Sequence, residues 1–224
     1  MRAMILAAGR GERMRPLTDT VPKPLLEVGG KPLIVWHLER LAAVGVSDVV
    51  INLCWLGEKI RARLGDGRQW GLRLHYSPEP PGALETGGGI FRALAKLGDE
   101  PFVVVNGDIF CDFDISLLTL GPDDVACLVM VPNPSHNRAG DFALCDGRLR
   151  DDAGEGLTFS GIAMYRAALF DGCEEGVFPL APLLRDAMAE SRVGGLLHSG
   201  LWRDVGTPQR LAELDAYLRQ RPVG

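Results

Sequence analysis

Short apolar runs alternate with helical spacings through the first half of the chain. "AMILAA" (3–8) is apolar on both faces and has the length of a buried strand. In residues 31–45, Ile34, Leu38 and Leu41 fall at i, i+4 and i+7, an amphipathic helix that Gly45 ends. "DVVINL" (48–53) predicts a second strand, "GEKIRARL" (57–64) a short helix and "LRLHYS" (72–77) a third strand. A helix is expected over about 88–97, then a strand in "PFVVVNGD" (101–108) with no polar alternation. Strands apolar on both faces and separated by helices predict an α/β fold, with a mostly parallel sheet covered on both sides.

Beyond Asp108 the rhythm changes. "VACLVMV", "GDFALCD", "GRLRDD" and "LTFSGIAMY" are short strands joined by Gly, Asp, Asn and Pro turns, which predict an antiparallel insert or sheet extension. Helical spacing returns in "APLLRDAMAE" and again in "LWRDVGTPQRLAELDAYLRQ", where Thr207 is placed as N-cap and Pro208 as the first helical residue. No repeat or low-complexity tract interrupts the chain, and its length suits a single domain.

Charge sharpens this picture. The chain carries a formal −5, which gives no general attraction to nucleic acid or to an anionic membrane. Residues 1–33 depart from that balance, holding six Lys/Arg against three Asp/Glu, so this segment is +3 and the remainder −8. A local basic patch on an acidic protein points to a small anionic ligand. Five cysteines without a C-x-x-C pair suggest neither a disulfide framework nor a thiolate zinc site, and free buried thiols fit a reducing compartment. With no secretory h-region and no bilayer-length apolar run, a soluble, cytoplasmic protein is expected.

The basic segment follows the first strand. Gly9 and Gly11 fall where the loop leaves the C-terminal end of that strand, the rim at which open α/β sheets bind ligands. Glycine lets the backbone approach closely, and successive amides can cradle phosphate oxygens. The same pair could simply turn the chain. Met14 stands where a dinucleotide fingerprint needs glycine, and no Walker pattern is present. Arg13 lies within reach of anything the loop holds. Lys23 sits between Pro22 and Pro24, which should hold its backbone extended and aim its side chain; a solvated surface lysine is the alternative. In "VVVNGDIF" the sequence Asn106-Gly107-Asp108 is either a common turn or a carboxylate at the sheet rim placed to hold Mg²⁺. "LETGGGI" brings Glu85, Thr86 and Gly87 to a helix start, for close backbone approach or as a flexible cap.

Taken together, L-A-A-G-x-G-x-R-M-x-P-L-T followed by P-K-P resembles the signature of the sugar-1-phosphate nucleotidylyltransferases. The resemblance implies the nucleotide-diphospho-sugar transferase fold, a Rossmann-like mixed sheet, over 1–224, with 1–110 as the nucleotide-binding half and 111–224 as the sugar-binding half with the C-terminal helix. It implies that Ala8, Gly9, Gly11 and Glu12 wrap a nucleoside triphosphate, with Arg13 and Lys23 as the catalytic cations on its phosphates. Glu79, Glu85, Thr86, Gly87 and Asn106 then lie along the nucleotide. Asp108 and Asp204 would hold Mg²⁺. Gly140, Asp141, Ser160, Gly161 and Asp204 would meet the sugar. Many hexose members carry a Glu-Lys-Pro segment where this chain has "RLRDDAGEGLTFSGI", which implies a different sugar. With "LETGGG", "LTFSGI" and "WRDVGT", the likeness is to members that join UTP to N-acetylmuramic acid 1-phosphate in peptidoglycan recycling, working as a monomer or weak homodimer. The missing hexapeptide periodicity sets aside the bifunctional acetylating members. Other pairs (heptose 1-phosphate with GTP, hexose 1-phosphate with UTP or dTTP, phosphocholine with CTP), a non-catalytic sensor and a dehydrogenase stand as alternatives. The four histidines show no ligand spacing and are expected to be structural or superficial, with His136 able to face substrate from its loop.

Overall fold

The structure, a computed structural model, describes residues 1–151 and 156–220. Asp152 and Glu155, within the "RLRDDAGEG" segment, lie outside the described residues. The first strand, β1 (Arg2–Leu6), is followed by the glycine loop and a two-stranded hairpin of β2 (Glu27–Val28) and β3 (Lys31–Pro32). Helix α1 (Leu33–Ala43), β4 (Asp48–Leu53), α2 (Gly57–Leu64) and β5 (Arg73–Pro78) come next. Then follow α3 (Glu85–Leu97), β6 (Phe102–Asn106) and β7 (Ile109–Cys111). The second half runs β8 (Ala126–Val131), β9 (Ala143–Cys145), β10 (Arg148–Arg150), β11 (Thr158–Tyr165) and α4 (Ala181–Ala189), and closes with β12 (Val193–Leu197), β13 (Trp202–Asp204) and α5 (Pro208–Gln220).

Nine strands form one sheet in the order β5-β4-β1-β6-β11-β8-β12-β10-β9. Strands β5, β4, β1 and β6 are mutually parallel, and β12 is parallel to β8. Strand β11 is antiparallel to both β6 and β8, so the antiparallel part is not a mere appendage: it joins the two halves in one sheet. Only β9 and β10 form a small antiparallel edge.

Alternation along the strands builds two apolar layers. Ala3, Ile5, Val49, Ile51, Val103 and Val105 pack with Ile34, Leu38 and Leu41 of α1 and Ile60 and Leu64 of α2. Met4, Val50 and Val104, from the same strands, face Ile90, Ala93 and Leu97 of α3 and Leu184 and Met188 of α4. A third cluster seats α5, through Leu214 and Leu218, against Met14, Val28, Leu33, Phe110 and Val205. Thr207 caps α5 as expected, accepting from the Arg210 amide at 3.3 Å.

The winding places the site. From β1 the chain moves outward to β4 and β5, then returns to the opposite side of β1 as β6. Connections diverge between β1 and β6, and a crevice opens beyond their carboxyl ends. The Gly107 amide donates to the Leu6 carbonyl at 2.9 Å there, and a Cβ at position 107 would come within 2.5 Å of that oxygen. Glycine at 107 is what lets the two strand ends close up.

Candidate active site

Three adjoining cavities occupy this rim. A central one of about 240 Å³ is lined by Ala8, Gly9, Lys23, Asn52, Glu79, Glu85, Thr86, Asn106 and Asp108, among others. On one side it shares Gly9, Lys23 and Asp108 with a cavity of about 310 Å³ that adds Gly11, Glu12, Arg13 and Gly206. On the other it shares Glu85, Thr86 and Asn106 with a cavity of about 620 Å³ bounded by Gly140, Asp141, Phe142 and Phe159. The cavity of the residues read as nucleotide-binding and that of Gly140 and Asp141, two of those read as sugar-binding, therefore meet at one wall, Glu85-Thr86-Asn106.

The glycine loop is held from below. Gly11 has a left-handed backbone (φ +66°), and a Cβ there would stand 3.0 Å from Thr18 Cγ2 and 3.3 Å from Lys23 Cβ. The Thr18 hydroxyl donates to the Gly11 carbonyl at 2.8 Å, and the Trp55 indole donates to the Thr18 carbonyl at 2.9 Å. Asn52, which the sequence reading passed over, ties two parts together: its Oδ1 accepts from the Ala7 amide at 2.7 Å and its Nδ2 donates to Glu79 Oε1 at 2.6 Å. The other oxygen of Glu79 accepts from the Leu84 amide at 2.9 Å.

Lys23 is a buried lysine, not a surface one, and its Nζ donates to Asp108 Oδ2 at 2.6 Å. Its backbone differs from expectation. Pro22 is the extended residue (ψ 141°), and Lys23 opens a short 3₁₀ turn, Lys23–Leu25, closed by the Leu26 amide donating to the Lys23 carbonyl. The preference that Pro24 imposes is overridden by that turn, which lays the lysine stem under Gly11. Arg13 is exposed in the same cavity as Lys23 and Asp108.

Asp204 reaches this rim from the far end of the chain. Strand β13 pairs antiparallel with β7, setting Asp204 opposite Ile109, and the Val205 amide donates to the Asp108 carbonyl at 2.9 Å. Asp204 Oδ2 meets Arg210 Nη1 at 2.7 Å and His136 Nε2 at 3.2 Å in an adjacent cavity. Its Oδ1 lies 3.0 Å from where a Cβ on Gly206 would stand, and Gly206 lines the cavity of Arg13, Lys23 and Asp108. Each aspartate thus has Oδ2 in an ion pair and Oδ1 outside it. Asp108, in the turn before β7, and Asp204, the last residue of β13, each offer carboxylate oxygens of the kind a hard divalent cation takes.

Not every residue named from sequence faces a cavity. Gly87 is packed in α3 under Phe178, whose ring would lie 2.6 Å from a Cβ there. Gly88 meets the Gly176 carbonyl and Gly89 meets Glu79 and Asn52, so the triple glycine serves close packing within the protein. Ser160 is buried, its carbonyl accepting from the Trp202 indole at 2.9 Å and its hydroxyl from the Ile162 amide at 3.2 Å. Gly161 (φ +84°) lies where the β11–β8 register shifts, with a Cβ position 2.6 Å from Asn106 Nδ2, so it packs behind Asn106. Asp141 does face the large cavity, and its oxygens accept from Asn137 Nδ2 at 3.1 Å and the Phe159 amide at 2.8 Å. Glu85 adopts φ +58°, a left-handed backbone unusual for a side chain with a Cβ, at the wall between the cavities.

The histidines have partners that spacing did not reveal. His75 meets Asp48 at 2.9 Å, and His198 meets Asp112 at 2.8 Å. Among the described residues one group of three possible metal-ligand side chains gathers, Cys111, Asp112 and His198. Burial raises the Cys111 thiol to about 11, so it is protonated at neutral pH. All five cysteines are free, but only Cys111 and Cys127 are buried.

Residues 2–120 match the model of the family described as nucleotidyl transferase. The chain belongs to that family. Among proteins similar to this member, N-acetylmuramate alpha-1-phosphate uridylyltransferase of Neisseria meningitidis is 55% identical over 96% of this chain and 97% of its own. The protein of the same name from Caulobacter vibrioides is 37% identical over 97% of each. A mannose-1-phosphate guanylyltransferase of Mycobacterium tuberculosis is 29% identical over 92% of this chain and 61% of its own. The fold matches a crystal structure of a putative glucose-1-phosphate thymidylyltransferase from Bacillus anthracis, with TM-score 0.86 and 20% identity over 100% of this chain and 98% of that one. Among the described residues no helix is long and apolar enough to cross a membrane.

Proposed function

We propose that this family member transfers a uridylyl group from UTP to N-acetylmuramic acid 1-phosphate, giving UDP-N-acetylmuramate and pyrophosphate, in the cytoplasmic recycling of peptidoglycan. The observation that carries the reading is the shared wall. A cavity of about 240 Å³ and one of about 620 Å³ meet at Glu85, Thr86 and Asn106, and the cations Arg13 and Lys23 stand with Asp108 on the side of the glycine loop. Similarity to two proteins named for this reaction, along almost the whole chain, supports the choice of substrates.

A sugar-phosphate oxygen attacks the α-phosphorus of UTP; that O–P bond forms as the bond to the bridging α–β oxygen breaks, and pyrophosphate leaves with the electron pair. The attacking phosphate is already anionic at neutral pH, so no residue need remove a proton. The obstacle is repulsion: at about 4 Å two unit charges oppose each other by roughly 4 kcal/mol at an effective dielectric of about 20, and several such pairs are involved. Arg13 and Lys23 take the charge that grows on the leaving pyrophosphate. The Gly9–Gly11 loop offers backbone amides to the triphosphate, and the Thr18 and Trp55 bonds beneath keep it in place. Glu79, fixed through Asn52 and the Leu84 amide, and Glu85 with Thr86 flank the base side of the cavity. Asp108 and Asp204 would hold Mg²⁺, which supplies positive charge and orientation to the phosphate oxygens. Positioning of both substrates accounts for much of the remaining acceleration.

The test crosses UTP, GTP, CTP and dTTP with the 1-phosphates of N-acetylmuramic acid, N-acetylglucosamine, glucose, mannose and a heptose, plus phosphocholine, and reads pyrophosphate release. The highest kcat/KM is expected for UTP with the muramic acceptor, lost with EDTA and restored by MgCl₂. A different best pair would replace the proposed substrates, and undiminished release in EDTA would remove the metal from the reading.

A further inference from the structure

The acceptor proposed above differs from N-acetylglucosamine 1-phosphate by a lactyl ether that ends in a carboxylate. A site that prefers it needs a cation in the sugar cavity, away from the phosphates. The large cavity runs from Thr86 and Asn106, where it meets the nucleotide side, past Phe142 and Phe159 to helix α4. Its other charged side chains, Glu85 and Asp141, are acids, and Asp141 already accepts two hydrogen bonds. Arg185 of α4 is the one cation among the described residues lining this cavity.

We infer that Arg185 recognises the acceptor sugar's carboxylate and so sets the preference for a muramic over a plain hexosamine phosphate, an inference that rests on the proposed uridylyltransfer. Arg185 is held in a way that leaves its fork available. Its Nε meets Asp151 Oδ2 at 3.0 Å, and its guanidinium carbon lies 6.0 Å from the centre of the Phe142 ring. The pairing through Nε orients the guanidinium plane, and the planar fork of Nη1 and Nη2 is the geometry suited to a bidentate carboxylate. The side chain is 49% exposed, so an incoming anion need not displace packed protein to reach it. Its backbone belongs to a helix whose Leu184 and Met188 are anchored in the core, which fixes the distance from the shared wall at Asn106. Arg185 makes no contact with the reacting phosphates in this scheme; it is a specificity residue for the acceptor.

The experiment measures kcat/KM with UTP for the two acceptors, N-acetylmuramic acid 1-phosphate and N-acetylglucosamine 1-phosphate, in the wild type, Arg185→Gln and Arg185→Lys. The muramic acceptor with its lactyl carboxylate converted to the methyl ester is a third substrate for the wild type. The wild type should favour the carboxylate acceptor, and Arg185→Gln should cut that ratio by at least about tenfold, the loss typical of a charge-assisted bidentate contact. Arg185→Lys keeps the charge without the fork and should fall between. The ester should lose a similar factor in the wild type, a comparison that needs no substitution and is safe from folding defects. An unchanged ratio in Arg185→Gln, an equal fall for both acceptors, or an ester used as well as the acid overturns the inference. In the last three cases a wild type that still prefers the muramic acceptor leaves the proposed function standing; a wild type that does not use it overturns both.

Discussion

At Lys23 and Asp108 one ion pair has two consequences that can be separated. Lys23 is 9% exposed at its side chain and Asp108 39%, so water still solvates the carboxylate if the lysine is removed. Removal of the lysine should therefore cost on the order of 1 kcal/mol, as for a partly exposed bridge. In the proposed reaction catalysis has no such relief, because charge on the phosphates would develop beside Lys23. Lys23→Ala and Asp108→Asn are each expected to lower kcat by about a hundredfold or more, while thermal unfolding of Lys23→Ala followed by circular dichroism shifts by only a few degrees. Near-normal pyrophosphate release from either variant would remove that residue from the machinery. Much of this site was legible because glycines, a proline-boxed lysine and a strand-end aspartate lie within short stretches. Asn52 was not: it sits inside an apolar strand, and only the folded sheet brings it to Ala7 and Glu79. Arg185 escaped for a similar reason, since on an amphipathic helix it reads as an ordinary solvated charge.

At the scale of elements, helix α3 shows how glycine can be misassigned from sequence. The pattern predicts a helix over about 88–97 with Glu85, Thr86 and Gly87 at its start; the helix instead begins at Glu85 and takes in all three glycines. The helical cost is offset by contacts no side chain could make. A Cβ on Gly88 would lie 2.2 Å from the Gly176 carbonyl, a backbone atom that cannot swing aside, while the Gly88 amide donates to the Phe178 carbonyl at 3.1 Å. Gly88→Ala should gain helix propensity yet lose about 2–3 kcal/mol net from overpacking, read as a lower urea midpoint at unchanged m. A variant as stable as the wild type would show that the 176–178 segment yields freely. Strands β7, β12 and β13 went unread for a different reason. β7 and β13 are three residues each, and β12 is "VGGLL", whose glycines resemble a loop. Gly195 has to be small because Leu144 and Leu149 cross over it, with a Cβ position 2.8 Å from both. By contrast β4 and α2 matched to the residue, since their patterns are long and unmixed.

On the scale of the whole molecule, one buried titratable group links the apolar layer beneath the sheet to acid stability. His37 of α1 is 5% exposed, lies next to strand β7, is hydrogen-bonded to the Ile109 backbone, and has an Nε2 without a hydrogen-bond partner. Burial, reinforced by the Arg40 charge, lowers its pKa from 6.5 to about 4; the Ile109 bond and Asp108 act weakly the other way. The sign follows from which state takes the proton. Between pH 6.5 and 4 the unfolded chain protonates His37 while the folded chain does not, so falling pH favours unfolding. The contribution is complete above pH 6.5 and lost as pH falls to about 4, in total about 3 kcal/mol at roughly 1.4 kcal/mol per unit. Asp48 does not contribute in this range, because the Arg73 guanidinium holds its carboxyl well below the usual carboxylate values. The difference between wild type and His37→Leu isolates the histidine. In urea titrations with EDTA at pH 7, 5.5 and 4, wild type should lose about 3 kcal/mol more than the variant across the series. Parallel curves would mean that His37 becomes hydrated and protonates within the folded state. A steeper fall in the wild type than in the variant would show that the sheet rim bearing Asp108 rests on an uncharged imidazole.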